Sequence, residues 1–134
     1  MRDQTPFAYA PPPLAALPGE ARILLKAARL WVLLARSSRA PLGPLSALLG
    51  PAAARFSVLM DELSAAWPDP FTTFPPCAAS LSPDEQVLLS VLARAEAGAE
   101  QGFHADLADL LGPDARRRLW QAACRVMDDR IGAG

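Results

Sequence analysis

Two copies of one short phrase constrain how this chain can be laid out: Leu48-Leu49-Gly50-Pro51 and Leu110-Leu111-Gly112-Pro113. Arg55 and Arg117 stand at the same distance beyond each proline, and each copy follows a segment ending in Leu-Ala-Arg (Leu34-Ala35-Arg36 and Leu92-Ala93-Arg94). Glycine closes a helix in the left-handed conformation and proline opens the next at a position where a missing N–H is harmless. The chain therefore reads as two units of helix, short helix, Leu-Leu-Gly-Pro and helix, over about 20–67 and 82–131, joined by a proline-rich loop at 68–81. With only two copies at a long period, this is duplication inside one bundle rather than a solenoid.

The residues between the breaks are helix formers. There are 27 Ala and 21 Leu against 3 Thr and 2 Ile, too few β-branched residues to build sheets. A hydrophobic share of 51% excludes disorder of the whole chain, and 134 residues suit a single domain. The expectation is an all-α bundle of four long helices plus one or two short ones, with residues 1–18 as a proline-rich lead and 19–134 as the bundle. The lead, with Pro11 to Pro13 in a row, reads as extended or polyproline II.

Periodicity places the helices. Leu24, Ala27, Ala28, Trp31, Leu34 and Ala35 form one helical stripe within Glu20–Ser37. Phe56, Leu59, Met60, Leu63 and Trp67 form a second, stopped by Pro68. Residues 45–49 make a short turn of helix between them. Phe71 and Phe74, set among Pro68, Pro70, Pro75 and Pro76, tuck against the bundle. Ser82-Pro83-Asp84-Glu85 is a capping box with proline at the first helical position and acids at the positive end of the helix dipole. That helix carries Leu88, Val91 and Leu92 and frays near Gly98 to Gly102. A short helix follows over 103–111, and a last one runs from Pro113 to about Arg130. The core is expected to hold Leu24, Ala28, Trp31, Leu34, Phe56, Leu59, Met60, Leu63, Leu88, Val91, Leu92, Leu107, Leu111, Leu119, Ala123 and Val126.

The two Leu-Leu-Gly steps, Leu88-Leu89 after Asp84-Glu85, and Met60-Asp61-Glu62-Leu63 together resemble an uncharacterised alphaproteobacterial family of small all-helical proteins, a domain of unknown function. The resemblance spans about residues 20–131. It implies a fold and no activity. That family can carry more than one Cys in the proline loop, where this chain has Cys77 alone, so no thiol chemistry is carried over. The GC-rich bacterial character agrees: twelve of the thirteen basic residues are Arg, and Asn is absent.

Chemistry is sparse. One His and two Cys fall short of the three or four ligands that a zinc site needs, so neither metal nor other cofactor is expected. His104 has no serine elbow, and Asp106 lies two residues away on another helix face. The acidic Asp106 and Asp109 disfavour a phosphotransfer role. Cys77 has no adjacent cation to activate it, and Cys124 reads as a small buried hydrophobe. The pairs Asp61-Glu62 and Asp128-Asp129 do not face each other on a helix. The expectation is no enzyme.

The N-terminus lacks the apolar core of a signal peptide, and the longest wholly apolar run is Leu30–Ala35, so a cytoplasmic protein without a membrane span is expected. The first helix has a wide apolar arc in which Leu30 and Leu33 flank the main stripe, beside Arg22, Lys26 and Arg29. These five residues are the expected surface for a protein partner or a homodimer. Residues 1–67 carry seven basic and four acidic groups, residues 68–134 six and ten, so opposite-sign halves can complement each other within the bundle or across a dimer. The rival reading is a DNA-binding regulator with a degenerate helix-turn-helix over 104–127, presenting Arg116, Arg117 and Arg118. Net charge of −1 speaks against nucleic-acid binding by bulk charge.

Overall fold

The computed structural model describes residues 12–133, and Phe7 and Tyr9 of the proline-rich lead lie outside them. Six α-helices account for most of the described chain: α1 Gly19–Arg36, α2 Leu42–Leu49, α3 Ala53–Ala66, α4 Pro83–Ala97, α5 Glu100–Leu107 and α6 Pro113–Ala133. Short 3-10 turns occupy Leu14–Ala16 and Gly50–Ala52. The described residues contain no strand, only an isolated antiparallel bridge between Pro13 and Ser80, so the fold is all-α.

Helix α6 lies along both α3 and α4, while α1 packs on α2 and α4. All sixteen residues expected in the core are buried, joined by others that include Leu25, Val32, Leu45, Leu49, Phe71 and Phe103. Ala35, counted in the α1 stripe, is exposed instead; it lies in the last turn, one residue before the helix ends at Arg36. The capping box forms as the sequence dictates: Ser82 Oγ accepts from the Glu85 N–H at 3.0 Å and Glu85 Oε1 accepts from the Ser82 N–H at 2.8 Å.

Helix α4 does not fray. Gly98, at φ 68° and ψ 24°, lets the Ala99 N–H reach the Arg94 carbonyl at 2.9 Å, and α5 begins two residues later at Glu100 rather than at Phe103. Arg94 then lies across Gly102, where a side chain would collide with its guanidinium, and pairs with Asp106 one turn further on at 3.0 Å.

The two Leu-Leu-Gly-Pro steps differ in conformation. Gly50 takes φ 58° and ψ −132°, open to glycine, directly at the end of α2. Gly112 has no positive φ and lies beyond a turn of several residues after α5, and the ψ of Gly50 lies far from the left-handed helical value, so neither copy forms the expected left-handed cap. In the second copy the turn is closed by carbonyl bonding at Leu107, which accepts from Leu110 and Leu111, so the glycine is not needed to reverse the chain. Within Leu42–Ala66 an 18-residue window reaches a mean hydropathy of 1.3, so by length and composition the stretch could cross a membrane, but its backbone breaks at Gly50 and Phe56, Leu59, Met60 and Leu63 face the core.

Candidate functional site: the groove beside the proline loop

The loop between α3 and α4 carries few regular hydrogen bonds of its own, so its shape depends on the side chains that hold it. Arg29, in the middle of α1, donates from Nε to Glu85 Oε2 at 2.8 Å and from Nη2 to Glu85 Oε1 at 3.1 Å. Two further N–H groups go to loop carbonyls, one from Nη1 to Ala78 at 3.0 Å and one from Nη2 to Ser80 at 2.8 Å. Glu85 in turn accepts from the backbone N–H of Phe74 at 3.0 Å and of Ser82 at 2.8 Å. Both side chains are fully buried, and each charge is matched by its partner and by peptide dipoles, as burial of charge demands.

Neighbouring groups complete the strap. Asp84 accepts from the Thr72 N–H at 2.8 Å and from Trp67 Nε1 at 3.3 Å, and Ser82 Oγ donates to the Thr72 carbonyl at 2.8 Å. Phe71 is buried edge-on against Trp67 with ring centroids 5.4 Å apart. On the other side, the end of the lead pairs with the loop: the Leu14 N–H donates to Ala79 and the Leu81 N–H to Pro12. Pro13, at φ −76° and ψ 144°, is in polyproline II geometry.

The strapped loop stands off the last two turns of α1 and leaves a groove of about 360 Å³, lined by Val32, Leu33, Arg36, Thr73, Phe74, Pro75 and Pro76 with Arg29 at its floor. Leu33 is 47% exposed there. Of the five residues expected as a partner surface, Arg22, Lys26 and Leu33 are exposed, and Leu30 is half-buried against the core. Arg29 is not part of any rim. It is withdrawn into the protein by Glu85 and the loop carbonyls, a correction with a plain cause: a guanidinium has enough donors to serve a carboxylate and two carbonyls at once. The groove wall from the loop, and Arg36 beside it, went unnoticed in the sequence. The row Leu25, Arg29, Val32, with an arginine between apolar residues at helical spacing, was the available signal.

No described acidic group lies within ion-pair distance of Arg22, Lys26, Arg36 or Arg39. The three arginines of α6 are differently placed. Arg116 folds back, donating from Nε to His104 Nδ1 at 3.0 Å and from Nη1 to the Leu111 carbonyl at 2.6 Å. Arg117 pairs with Asp114 in the first turn of its own helix, and Arg118 with Glu62 of α3 at 3.4 Å. His104 is thus held from both sides, with Nε2 facing Glu100 at 3.5 Å. Cys77 is exposed on the loop and Cys124 half-buried on α6, where burial, then the charges of Asp128 and Glu100, push its thiol pKa up. Among the described residues no three His, Cys, Asp or Glu side chains converge as a metal site.

No family model, curated protein or solved structure matches this chain.

Proposed function

We propose that this protein is a non-catalytic, cytoplasmic helical adaptor or regulator that binds another protein through the outer face of α1 and the adjoining groove. The observation that carries the reading is Leu33: a large apolar side chain, 47% exposed, forming a groove wall on the same helix face as the exposed Arg22, Lys26 and Arg36. An apolar position flanked by cations with no acidic partner is surface that folding alone does not use. The non-catalytic half rests on His104, whose ring is engaged by Arg116 and Glu100. Site-specific photo-crosslinking from position 33 in the native host tests the proposal, with position 58 as reference because Val58 is equally exposed on α3. A discrete adduct from 33 and none from 58 is expected. Equal or absent labelling would defeat it.

The DNA-binding alternative draws support from the succession of α5, turn and α6, with the Arg117 and Arg118 side chains 58% and 57% exposed. Both already face a carboxylate, which weakens any claim on phosphate. Salt-sensitive gel shifts lost on replacing Arg116, Arg117 and Arg118 by Ala would revive it. We also read the four longer helices and two short ones as a bundle of two duplicated units, as in the family resembled; the recurring order of 18, 8 and 14 then 15, 8 and 21 residues supports this.

A further inference from the structure

We infer that the partner of the α1 face is an acidic peptide segment that seats one apolar side chain in the groove and sets carboxylates against the surrounding cations. The inference rests on the proposed binding surface and adds the chemistry of what it takes.

The walls decide the mode of recognition. The Phe74 N–H is consumed by Glu85, Pro75 and Pro76 have none, and the N–H groups of this part of α1 are bonded within the helix. Among the described residues, Thr73 alone keeps a backbone N–H free along this wall, too little for the ladder that adds a β-strand. It offers apolar surface from Val32, Leu33, Phe74 and the two prolines. A cavity of about 360 Å³ stands at the small end of ligand pockets, room for one or two side chains rather than a whole helix face. Binding must then come from an anchor side chain, as at the centre of protein interfaces.

The charges decide the partner. Arg22, Lys26 and Arg36 lie along one face of α1 over about 21 Å, and Arg39 follows in the next turn of chain. All four are exposed and none has a described acidic partner; Arg125 on α6 shares that state but stands alone, while Arg29, Arg55, Arg94, Arg117, Arg118 and Arg130 each pair with a carboxylate and Arg116 with His104 and the Leu111 carbonyl. The loop wall adds no charge, so the local field is positive and complementary to an acidic ligand. A nucleic-acid backbone would satisfy the cations but leave the apolar groove unfilled. An acidic peptide with an aromatic or aliphatic anchor satisfies both. Because Arg29, Asp84 and Glu85 fix the loop, the groove is formed before binding, and little ordering entropy is lost there.

The test is to pan a random-peptide display library on the full chain, then measure the enriched synthetic peptides by fluorescence anisotropy. Leu33→Asp and Arg36→Glu are the test variants and Val58→Asp the control; all three positions are exposed, and melting curves verify folding. Expected are peptides combining Asp or Glu with a large apolar residue, weakened about tenfold or more by each test variant and unaffected by the control. Enriched neutral or basic peptides that still lose binding with Leu33→Asp would overturn the acidic partner and leave the binding surface standing. Enrichment insensitive to both test variants, or no enrichment, would overturn both. Displacement of the peptides by oligo(dT) at physiological salt, or self-association abolished by Arg36→Glu, would assign the face to a polyanion or a second copy and overturn the inference.

Discussion

Arg29 and Glu85, fifty-six positions apart, meet as a two-pronged ion pair at 2.8 and 3.1 Å with side chains 1% and 0% exposed. The pair joins the middle of α1 to the first turn of α4 and fixes the loop between α3 and α4 to both. Removing one partner of a buried pair strands the other charge, at a cost of about 3–5 kcal/mol. Arg29→Met and Glu85→Gln should each lower stability by that order in urea titrations. The double variant should cost clearly less than the two combined, since no unpaired charge remains. Strict additivity would show that the two residues act separately.

Ser82 works at the same junction through a different bond. Its hydroxyl caps α4 by accepting from the Glu85 N–H and donates to the Thr72 carbonyl, and the residue is fully buried. Ser82→Ala should therefore cost about 1–2 kcal/mol. Ser46→Ala makes the comparison: that hydroxyl is exposed and bonds only the Leu42 carbonyl of its own helix, so a change within about 0.5 kcal/mol is expected. Similar losses for both would refute the capping role.

Adjacent residues on α3 test the packing. Leu59 is 0% exposed and Val58 50%. Leu59→Ala should cost about 2–5 kcal/mol, whereas Val58→Ala should stay within about 0.5 kcal/mol. Equal melting shifts would mean that α3 is rotated about its axis from the orientation described.

The difference between what was legible in the sequence and what was not follows from the range of the forces involved. Helical stripes are local, so Leu59, Leu88 and Val126 could be placed in the core from spacing alone, and so could the capping box at Ser82 and Glu85. Arg29 could not. Its fate depends on Glu85, Ala78 and Ser80, which only the tertiary fold brings to it, and a lone arginine on a helix reads as solvent-facing by default. The groove was hidden for the same reason, since half of it is a loop whose path is fixed by those long-range bonds. The exposure of Arg22, Lys26 and Leu33 was readable because side-chain orientation on a helix is a local property. The two Leu-Leu-Gly-Pro steps show the opposite hazard, for identical residues took different turns at Gly50 and Gly112.

Glu20 and Arg130 give a pH dependence with a definite sign. Arg130 donates to both carboxylate oxygens of Glu20, at 2.6 and 2.7 Å, and to the Leu49 carbonyl at 3.1 Å, tying the end of α6 to the start of α1. The hydrogen bond from Arg130 holds the Glu20 carboxyl below the usual carboxylate range, against a smaller opposing effect of burial. A depressed carboxyl favours the folded state when ionised, so its contribution is complete above the unfolded value of about 4.3 and disappears as pH falls through the lower folded value. Wild type should lose more stability than Glu20→Gln between about pH 5 and pH 3. Glu20 is 42% exposed, so solvent screening keeps the effect small and added salt should shrink it further. Identical pH profiles would remove the ion pair from the account.

The two cysteines should separate by reactivity. Cys77 follows Pro75-Pro76 on the outer side of the loop and is exposed. Cys124 is half-buried on α6, and desolvation together with the nearby carboxylates of Asp128 and Glu100 raises its thiol pKa, which lowers the thiolate fraction that reacts. A thiol reagent at neutral pH should therefore label the native chain in two phases, a fast one removed by Cys77→Ser and a slow one removed by Cys124→Ser. Denaturant should merge them by exposing Cys124 and dispersing the charges around it. The same labelling reports on the groove, because Cys77 stands next to Pro75 and Pro76 in its wall: Arg29→Met, which frees the Ala78 and Ser80 carbonyls, should alter the fast phase and leave the slow one in place. Should Cys124 react as fast as Cys77 in the native protein, the packing of α6 around that position would have to be redrawn.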